Sequence, residues 1–471
     1  MKTPSAIAVL CVLGGCAVGP NYHRPESPVP ETYLHGQLWK TAAPADVLDR
    51  GDWWTLFGDA TLNDLESRVD RANQTVAGAA AAYAQARALV REQRAGIFPV
   101  ITADASADKT HSNTSSIVTT QTGSGTRSSS PGTLYRAEVG ASWELDVFGR
   151  IRRAVESAGD AAQASAADLA AARLAAQGEL ASDYFQLRET DAEQILLRDT
   201  VEAFKRSLQI TQNRYDAKIA AKSDVLQAQT QLYNAQADLA DLTRQRAVLE
   251  NAIAVLVGEP PGQFTLTATD WVPNVPDIPV SLPSDLLERR PDIAAAERRM
   301  ASANAQIGVA KAAYFPAFDL SAAYGSSGRA IGDLADAAAR TWSLGATVAA
   351  TLFDFGATRA RTAQARAAYD QNVANYRQTA LSAFQDVGNQ LATSIVLEQQ
   401  TDLRQRASDA ADEAERIALN QYRSGLISYT DVVTSQAAAL NARRSLVQVK
   451  VSRQTTAVAL IQALGGGWRT P

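Results

Sequence analysis

Tyr135-Arg136-Ala137-Glu138-Val139-Gly140-Ala141-Ser142-Trp143-Glu144-Leu145-Asp146-Val147 alternates apolar and polar residues with a period of two. In an extended chain, Tyr135, Ala137, Val139, Ala141, Trp143, Leu145 and Val147 share one face, and the intervening residues share the other. A tilted strand crossing a bilayer needs about 9–11 residues, apolar toward lipid and polar toward a lumen, with aromatics near the interfaces. Tyr135 and Trp143 are the candidate interface aromatics here. A half-buried hairpin of a soluble sheet shows the same alternation. The stretch alone therefore leaves both readings open, and the rest of the chain must choose.

The stretch recurs. Trp342, Leu344, Ala346, Val348, Ala350 and Leu352 alternate with Ser343, Gly345, Thr347, Ala349 and Thr351, and Trp342 supplies a third candidate anchor. Leu145, Phe148 and Gly149 return as Leu352, Phe355 and Gly356. Tyr215, Asp224, Val225 and Gln229 return as Tyr422, Asp431, Val432 and Gln436, and Gly258 as Gly465, all 207 positions on. Upstream, Phe98-Pro99 returns as Phe315-Pro316 at a spacing of 217. The first copy thus carries ten extra residues within 106–134, a Ser-, Thr- and Gly-rich stretch that reads as a solvent-facing loop. A tandem repeat is the organising feature.

Each Phe-Pro is followed by a second alternating run: Ile101, Ala103, Ala105 and Ala107 in one copy, Phe318, Leu320, Ala322 and Tyr324 in the other. That makes four strands per chain. Membrane barrels need about eight or more, and open sheet edges are not tolerated in lipid. One chain cannot close such a barrel; three chains would give twelve strands.

Proline is absent from 132–259 and from 317–470, while Pro260, Pro261, Pro273, Pro276, Pro279, Pro283 and Pro291 crowd the junction between the copies. Proline within a helix costs about 3 kcal/mol, so long helices are expected only in the proline-free regions. Residues 150–217 are rich in Ala, Leu, Gln, Arg and Glu, all good helix formers, and a helix of that length reaches about 100 Å. Residues 224–257 read as its return, and 357–422 with 431–464 repeat the pair. Their abundant alanine suits close, coiled-coil-like packing. The fold class expected is mixed α and β, mostly α.

At the start, Lys2 and the apolar run Ala6 to Leu13 lead into Leu13-Gly14-Gly15-Cys16, an export signal ending like a bacterial lipobox with Cys16 as the lipidated residue. Ala17 follows, where an acid would favour inner-membrane retention. Removal of the signal also removes Cys11, leaving no disulfide in the mature chain. No later stretch is long and apolar enough for a transmembrane helix. The 45 basic against 50 acidic residues give no basic patch for nucleic acid. His23, His35 and His111 have no partner at metal spacing, and no nucleophile stands beside a convincing base. Neither a metal nor a cofactor is expected, apart from the covalent lipid on Cys16. The segments read as signal peptide 1–15, lipidated extended segment 16–60, first repeat 61–259, connector 260–283, second repeat 284–466 and tail 467–471.

Several marks taken together resemble the TolC-type outer-membrane efflux proteins, in particular the lipidated NodT branch serving resistance-nodulation-division pumps. They are Cys16-Ala17-Val18-Gly19-Pro20-Asn21-Tyr22, Asp52-Trp53-Trp54 with Phe57, Glu288-Arg289-Arg290-Pro291-Asp292-Ile293, Tyr314-Phe315-Pro316 and Leu464-Gly465-Gly466-Gly467-Trp468. The resemblance covers nearly the whole mature chain. It implies a homotrimer in which a twelve-stranded β-barrel in the outer membrane continues into a long α-helical barrel through the periplasm. An inner-membrane pump would supply the energy, a periplasmic adaptor the bridge, and the duct would pass small toxic molecules such as drugs passively.

The same resemblance implies a closing iris at the helix turns near 215–224 and 422–431, with Tyr215, Lys218, Asp224, Tyr422, Arg423, Asp431 and Thr434 as gate candidates. The family's second-copy pattern of tyrosine, glycine turn and acid is matched by Tyr422, Gly425 and Asp431. Thr434 stands where some members carry a second acid, and Ile427 where many carry a base, so the ion-paired lock of those members is not copied here. Lys218 stands opposite Gly425 and is expected to pair across a subunit contact. Asp224 and Asp431 have a second reading as helix-start residues after Ser223 and Thr430. Three other whole-protein readings are a non-conducting coiled-coil envelope lipoprotein, a periplasmic adaptor and a duct for secreted proteins. The amphipathic strands argue against the first and the duplicated helix pairs against the second, whereas the lipobox favours efflux over secretion.

Overall fold

The computed structural model describes residues 17–25, 52–110, 116–120, 123–127, 132–269, 271–276 and 290–466. The signal, Cys16, Glu288-Arg289 and the tail lie outside these residues. The chain divides into two units made of interleaved segments.

One unit comprises Ala84–Gln163 and Glu297–Ala374 with the N-terminal segment to Pro25. Its sheet holds β1 (Val100–Thr110), β4 (Gly132–Leu145), β5 (Ala317–Gly328) and β6 (Arg340–Ala349) in the order β1-β4-β5-β6, every neighbouring pair antiparallel. The ten extra residues of the first copy form more than a plain loop, because β2 (Ser116–Thr120) and β3 (Gly123–Arg127) pair there as a separate hairpin. The described strands therefore number six, four of them in the main sheet.

The register carries the repeat. Val100 opposite Ser142 in the first hairpin is matched by Ala317 opposite Ala349 in the second, its equivalents after 217 and 207 residues. Two expected strand ends are corrected. Asp146 and Val147 do not continue β4, because the Asp146 carboxylate turns back to accept the amides of Ile151 and Arg152, both at 2.9 Å, at the start of the next helix. β6 stops at Ala349 rather than Leu352. β5 begins at Ala317, opposite Ala349, and offers no backbone beyond it.

The N-terminal segment is strapped onto this unit. Val18 N–H donates to the Phe148 carbonyl (3.0 Å), the Asn304 amide to the Pro20 carbonyl (3.0 Å), Arg153 to Asn21 (2.9 Å) and the Tyr22 hydroxyl to Glu297 (3.0 Å). Gly19 and Gly308 meet backbone to backbone: a Cβ on Gly19 would lie 2.5 Å from the Gly308 Cα.

The other unit comprises Glu26–Tyr83, Ala164–Ala296 and Asn375–Pro471. Trp53, Trp54 and Phe57 form a short 3₁₀ turn and pack with Leu62, Leu65 and Val69 of α1 (Ala60–Ala72) into its main core. Tyr184 and Phe185 of α3 (Arg150–Asp216), Ile253 of α4 (Lys222–Leu256) and Val458 of α7 (Tyr429–Ala463) complete that core. Asp59 caps α1 through the amides of Thr61 and Leu62, and its other oxygen accepts from the Tyr184 hydroxyl at 2.6 Å. The two tryptophans of the mark Asp52-Trp53-Trp54 are thus core residues, while Asp52 is exposed. Between α1 and the strands runs α2 (Gln74–Ala95); its repeat α5 (Pro291–Ala312) and the second long helix α6 (Ala357–Arg423) follow the same plan. On α7, Tyr429, Val432, Gln436 and Ala439 are buried at alternating three- and four-residue steps, the seam expected of coiled-coil packing.

Candidate functional site

In the sheet, the register places like with like. Ile101 and Ala103 lie opposite Ala141 and Val139; Val139, Ala141 and Trp143 lie opposite Tyr324, Ala322 and Leu320; Tyr324 and Leu344 lie opposite Trp342 and Ala322. Opposed residues share a face, so one face carries an apolar band across the four strands, ending toward the loops at the level of Tyr324 and Trp342, beyond which Ser326 and Arg340 stand on the same face. The other carries Asp104, Arg136, Glu138, Ser142, Glu144, Asp319, Ser321 and Thr347. The apolar face is not packed in this chain: Trp342 is 77% exposed. Tyr135 and Trp342 are repeat equivalents at the loop ends of their strands, and Trp143 stands at the helix end, its indole N–H donating to the Ile97 carbonyl at 2.8 Å. Aromatics at both ends of an apolar band match the girdles of a membrane barrel.

The second site is the pair of helix turns. Both use the same terminator. In the first, the amides of Lys218 and Ile219 return to the carbonyls of Tyr215 and Arg214; in the second, those of Gly425 and Leu426 return to Tyr422 and Gln421. This double return requires a left-handed residue at the turn. Gly425 takes φ 77 without cost, whereas Lys218 is held at φ 65. Lys218 occupies a glycine position, a local departure from the usual turn chemistry.

The helix starts after these turns correct the expected caps. α7 is capped by Ser428: its hydroxyl and amide engage the Asp431 carboxylate at 2.7 and 3.0 Å, closing a capping box. Thr430 already lies inside the helix. α4 begins after Ala221, which has no capping side chain, and the half-buried Asp224 accepts from the neighbouring Ser223 hydroxyl at 3.3 Å. Both acids therefore lie in the first turn of their helices, where a carboxylate favours the helix start, and Asp431 alone of the two also closes a capping box. Thr434 spends its hydroxyl on the Thr430 carbonyl, within its own helix.

Of the gate candidates, the structure brings Tyr422 into an apolar cluster, with Asp224 near enough to act on its Tyr429 hydroxyl. Tyr422 is buried against Tyr429 (centroids 5.3 Å apart), Val432 and Ala228, while its repeat partner Tyr215 is exposed. Arg214 lies over the Tyr422 ring, 4.6 Å from its centroid, and donates to the carbonyls of Tyr422 (2.8 Å) and Arg423 (3.4 Å). Further along, Gln436 donates to Ser207 at 3.4 Å and Thr430 to Gln227 at 3.4 Å. Burial, then the nearby Tyr422 and Asp224, push the Tyr429 hydroxyl up to about 12. The Tyr422 hydroxyl has no hydrogen-bond partner among the described residues. The turns are thus joined by a cation over an aromatic ring and by charge-to-carbonyl hydrogen bonds. Arg214 was not among the sequence candidates. Its one signal was the departure between copies, since Gln421 stands 207 positions on.

Comparison with known proteins follows the same division into copies. The outer membrane efflux protein family matches residues 67–259 and again 282–466. The antibiotic efflux pump outer membrane protein ArpC and the toluene efflux pump outer membrane protein TtgC, both of Pseudomonas putida, are each 30% identical over 460 residues, covering 97% of this chain and 94% of the relative. The solved outer-membrane channel OprN is similar at a TM-score of 0.82 and 31% identity, over 96% of this chain and 100% of that one.

Proposed function

This chain belongs to the outer membrane efflux protein family, and from that premise we propose that three copies form a closed duct receiving small apolar or amphiphilic toxic molecules from an inner-membrane pump through a periplasmic adaptor. The chain is the outer-membrane component of an efflux system. The observation that carries the trimer is the four-stranded sheet: one face apolar from Trp143 to the level of Tyr324 and Trp342, the other largely polar, and four strands too few to close in lipid. Aromatic and drug-like cargo is favoured by the toluene and antibiotic systems of the two relatives. A resistance-nodulation-division pump fits that cargo and the NodT-like marks.

Lipidation of Cys16 belongs to the same proposal. The strap from Ala17 to Tyr22 supports it by holding the residue after Cys16 against Gly149, where a Cβ would come within 2.8 Å of the Ala17 Cα. The acyl chains would then lie beside the strand ends. For the gate we propose the Arg214 contacts with Tyr422 and Arg423 as the closed-state tie, with Tyr215, Lys218, Asp224, Asp431 and Thr434 on the surface that rearranges around it. Crosslinking in cells followed by affinity purification tests the assembly: the adaptor and a multi-span pump should copurify with the full-length chain. Recovery of a secretion transporter in their place would refute the efflux partners.

A further inference from the structure

Within the chain, the step from the first copy to the second is itself an interface between repeats. β4 pairs with β5 so that Gly140 lies opposite Ala323 and Leu145 opposite Phe318. Just beyond, the Phe148 ring stacks on Phe315 at 4.6 Å and approaches Phe318 at 6.3 Å. The equivalents of the β4 side are in β6 and the turn after it; those of the β5 side are in β1 and the residues before it. Those equivalents face no second repeat: Phe355 has only a local ring contact, with Phe353 two residues before it at 4.5 Å, and the four stay bare, with Leu352 96% exposed, Phe355 91%, Ile101 72% and Phe98 64%.

β6 also ends where this missing neighbour would begin to matter. In β4, Trp143, Glu144 and Leu145 are paired only to β5, since β1 starts at Val100 opposite Ser142. Their equivalents, residues 350–352, are the three that fall outside β6 although the alternating pattern runs through Leu352. The two hairpins share one register, so the same rule can be carried across the open edges.

We infer that β6 of one copy pairs antiparallel with β1 of the next so that Thr347 lies opposite Ser106 and Leu352 opposite Ile101, and that Phe355 packs on Phe98 of that next copy. The inference rests on the closed-barrel reading and adds its register and its aromatic step. Parity supports it: Val348 then faces Ala105, and Ala346 faces Ala107, apolar beside apolar, while Thr347 and Ser106 fall on the polar face. A register slipped by one residue would reverse every face. Phe98 also borders an open cleft of ≈410 Å³, but Glu92, Glu144, Arg150 and Asp319 line it too, so the apolar seat offered to Phe355 is the bare Phe98 ring itself. Phe355 stands at φ 51, a backbone that phenylalanine rarely adopts, while its equivalent Phe148 has no positive φ. Seating against Phe98 would give the Phe355 turn the packing that Phe148 already has.

The test uses the full-length protein in outer-membrane fractions carrying pairs of cysteines, oxidised and run on non-reducing gels. Thr347→Cys with Ser106→Cys should give covalent dimers and trimers. Ser106→Cys with Arg136→Cys, opposite each other within one chain, reports that the sheet has formed and should stay monomeric. Phe355→Ala should lower the 347/106 crosslink yield several-fold; an unchanged yield would remove the aromatic step. Preferential crosslinking of 347 with 104 or 108 would overturn the register while leaving a barrel built from copies. No intermolecular crosslink at any of the three, with the 106/136 control closed, would overturn edge pairing and the closed barrel together.

Discussion

Replacing Arg214 by glutamine gives the first turn the residue that the second already carries at Gln421. The substitution removes one charged hydrogen bond of 2.8 Å, a weaker one of 3.4 Å and a cation resting on the Tyr422 ring. A hydrogen bond to a charged group contributes about 1.5–3 kcal/mol and a cation–π contact about 0.5–1 at an exposed site. Arg214 is half-buried, and glutamine recovers part of the hydrogen bonding, so the expected loss is about 2 kcal/mol per protomer. At 1.4 kcal/mol per factor of ten, that shifts the balance between joined and parted turns by about thirtyfold. In planar bilayers, Arg214→Gln should raise the fraction of time the purified channel conducts, and Arg214→Lys, which keeps the charge, should raise it less. An open fraction within about threefold of the parent for Arg214→Gln, equivalent to under 1 kcal/mol, would refute the tie.

Three further outcomes follow from particular residues. Gly425→Ala should lower resistance to thermal dissociation by about 1 kcal/mol and Lys218→Gly should raise it, since both turns hold a left-handed residue; opposite signs would contradict the turn geometry. Glu66 is fully buried in the main core, neither of its oxygens has a partner among the described residues, and burial, then Asp70, push its carboxyl up to about 10. Because the folded pKa lies above the unfolded one, its contribution is complete below about pH 4.5 and is lost as pH climbs toward 10. Wild type should lose stability across that window and Glu66→Gln should not, so parallel melting curves would refute the buried acid. Gly308→Val places side-chain atoms where Val18 and Gly19 now touch the helix; limited proteolysis should then cut within residues 17–25, and unchanged protection would argue against the strap.

The strands and the helix pairs were legible because each repeats a simple period twice, and the 207- and 217-residue spacings fixed which elements correspond. Strand ends were less legible. Asp146 reads as a polar strand residue, but two free amides at the start of α3 claim its carboxylate. Residues 350–352 follow the strand pattern yet have no backbone to pair with in one chain. The caps were misplaced for a local reason: Ser223 and Thr430 stand next to the acids, while a capping box needs the hydroxyl three residues before, as Ser428 is. Arg214 escaped notice because its partner lies 208 residues away and no periodicity reports a cation above a ring.

Conductance of the purified assembly tests the central claim most directly. The detergent-extracted protein should have the mass of three chains and, inserted in a planar bilayer, give discrete channels. A stable monomer that never conducts would contradict a duct built by closing six copies of one strand-and-helix unit around a single axis.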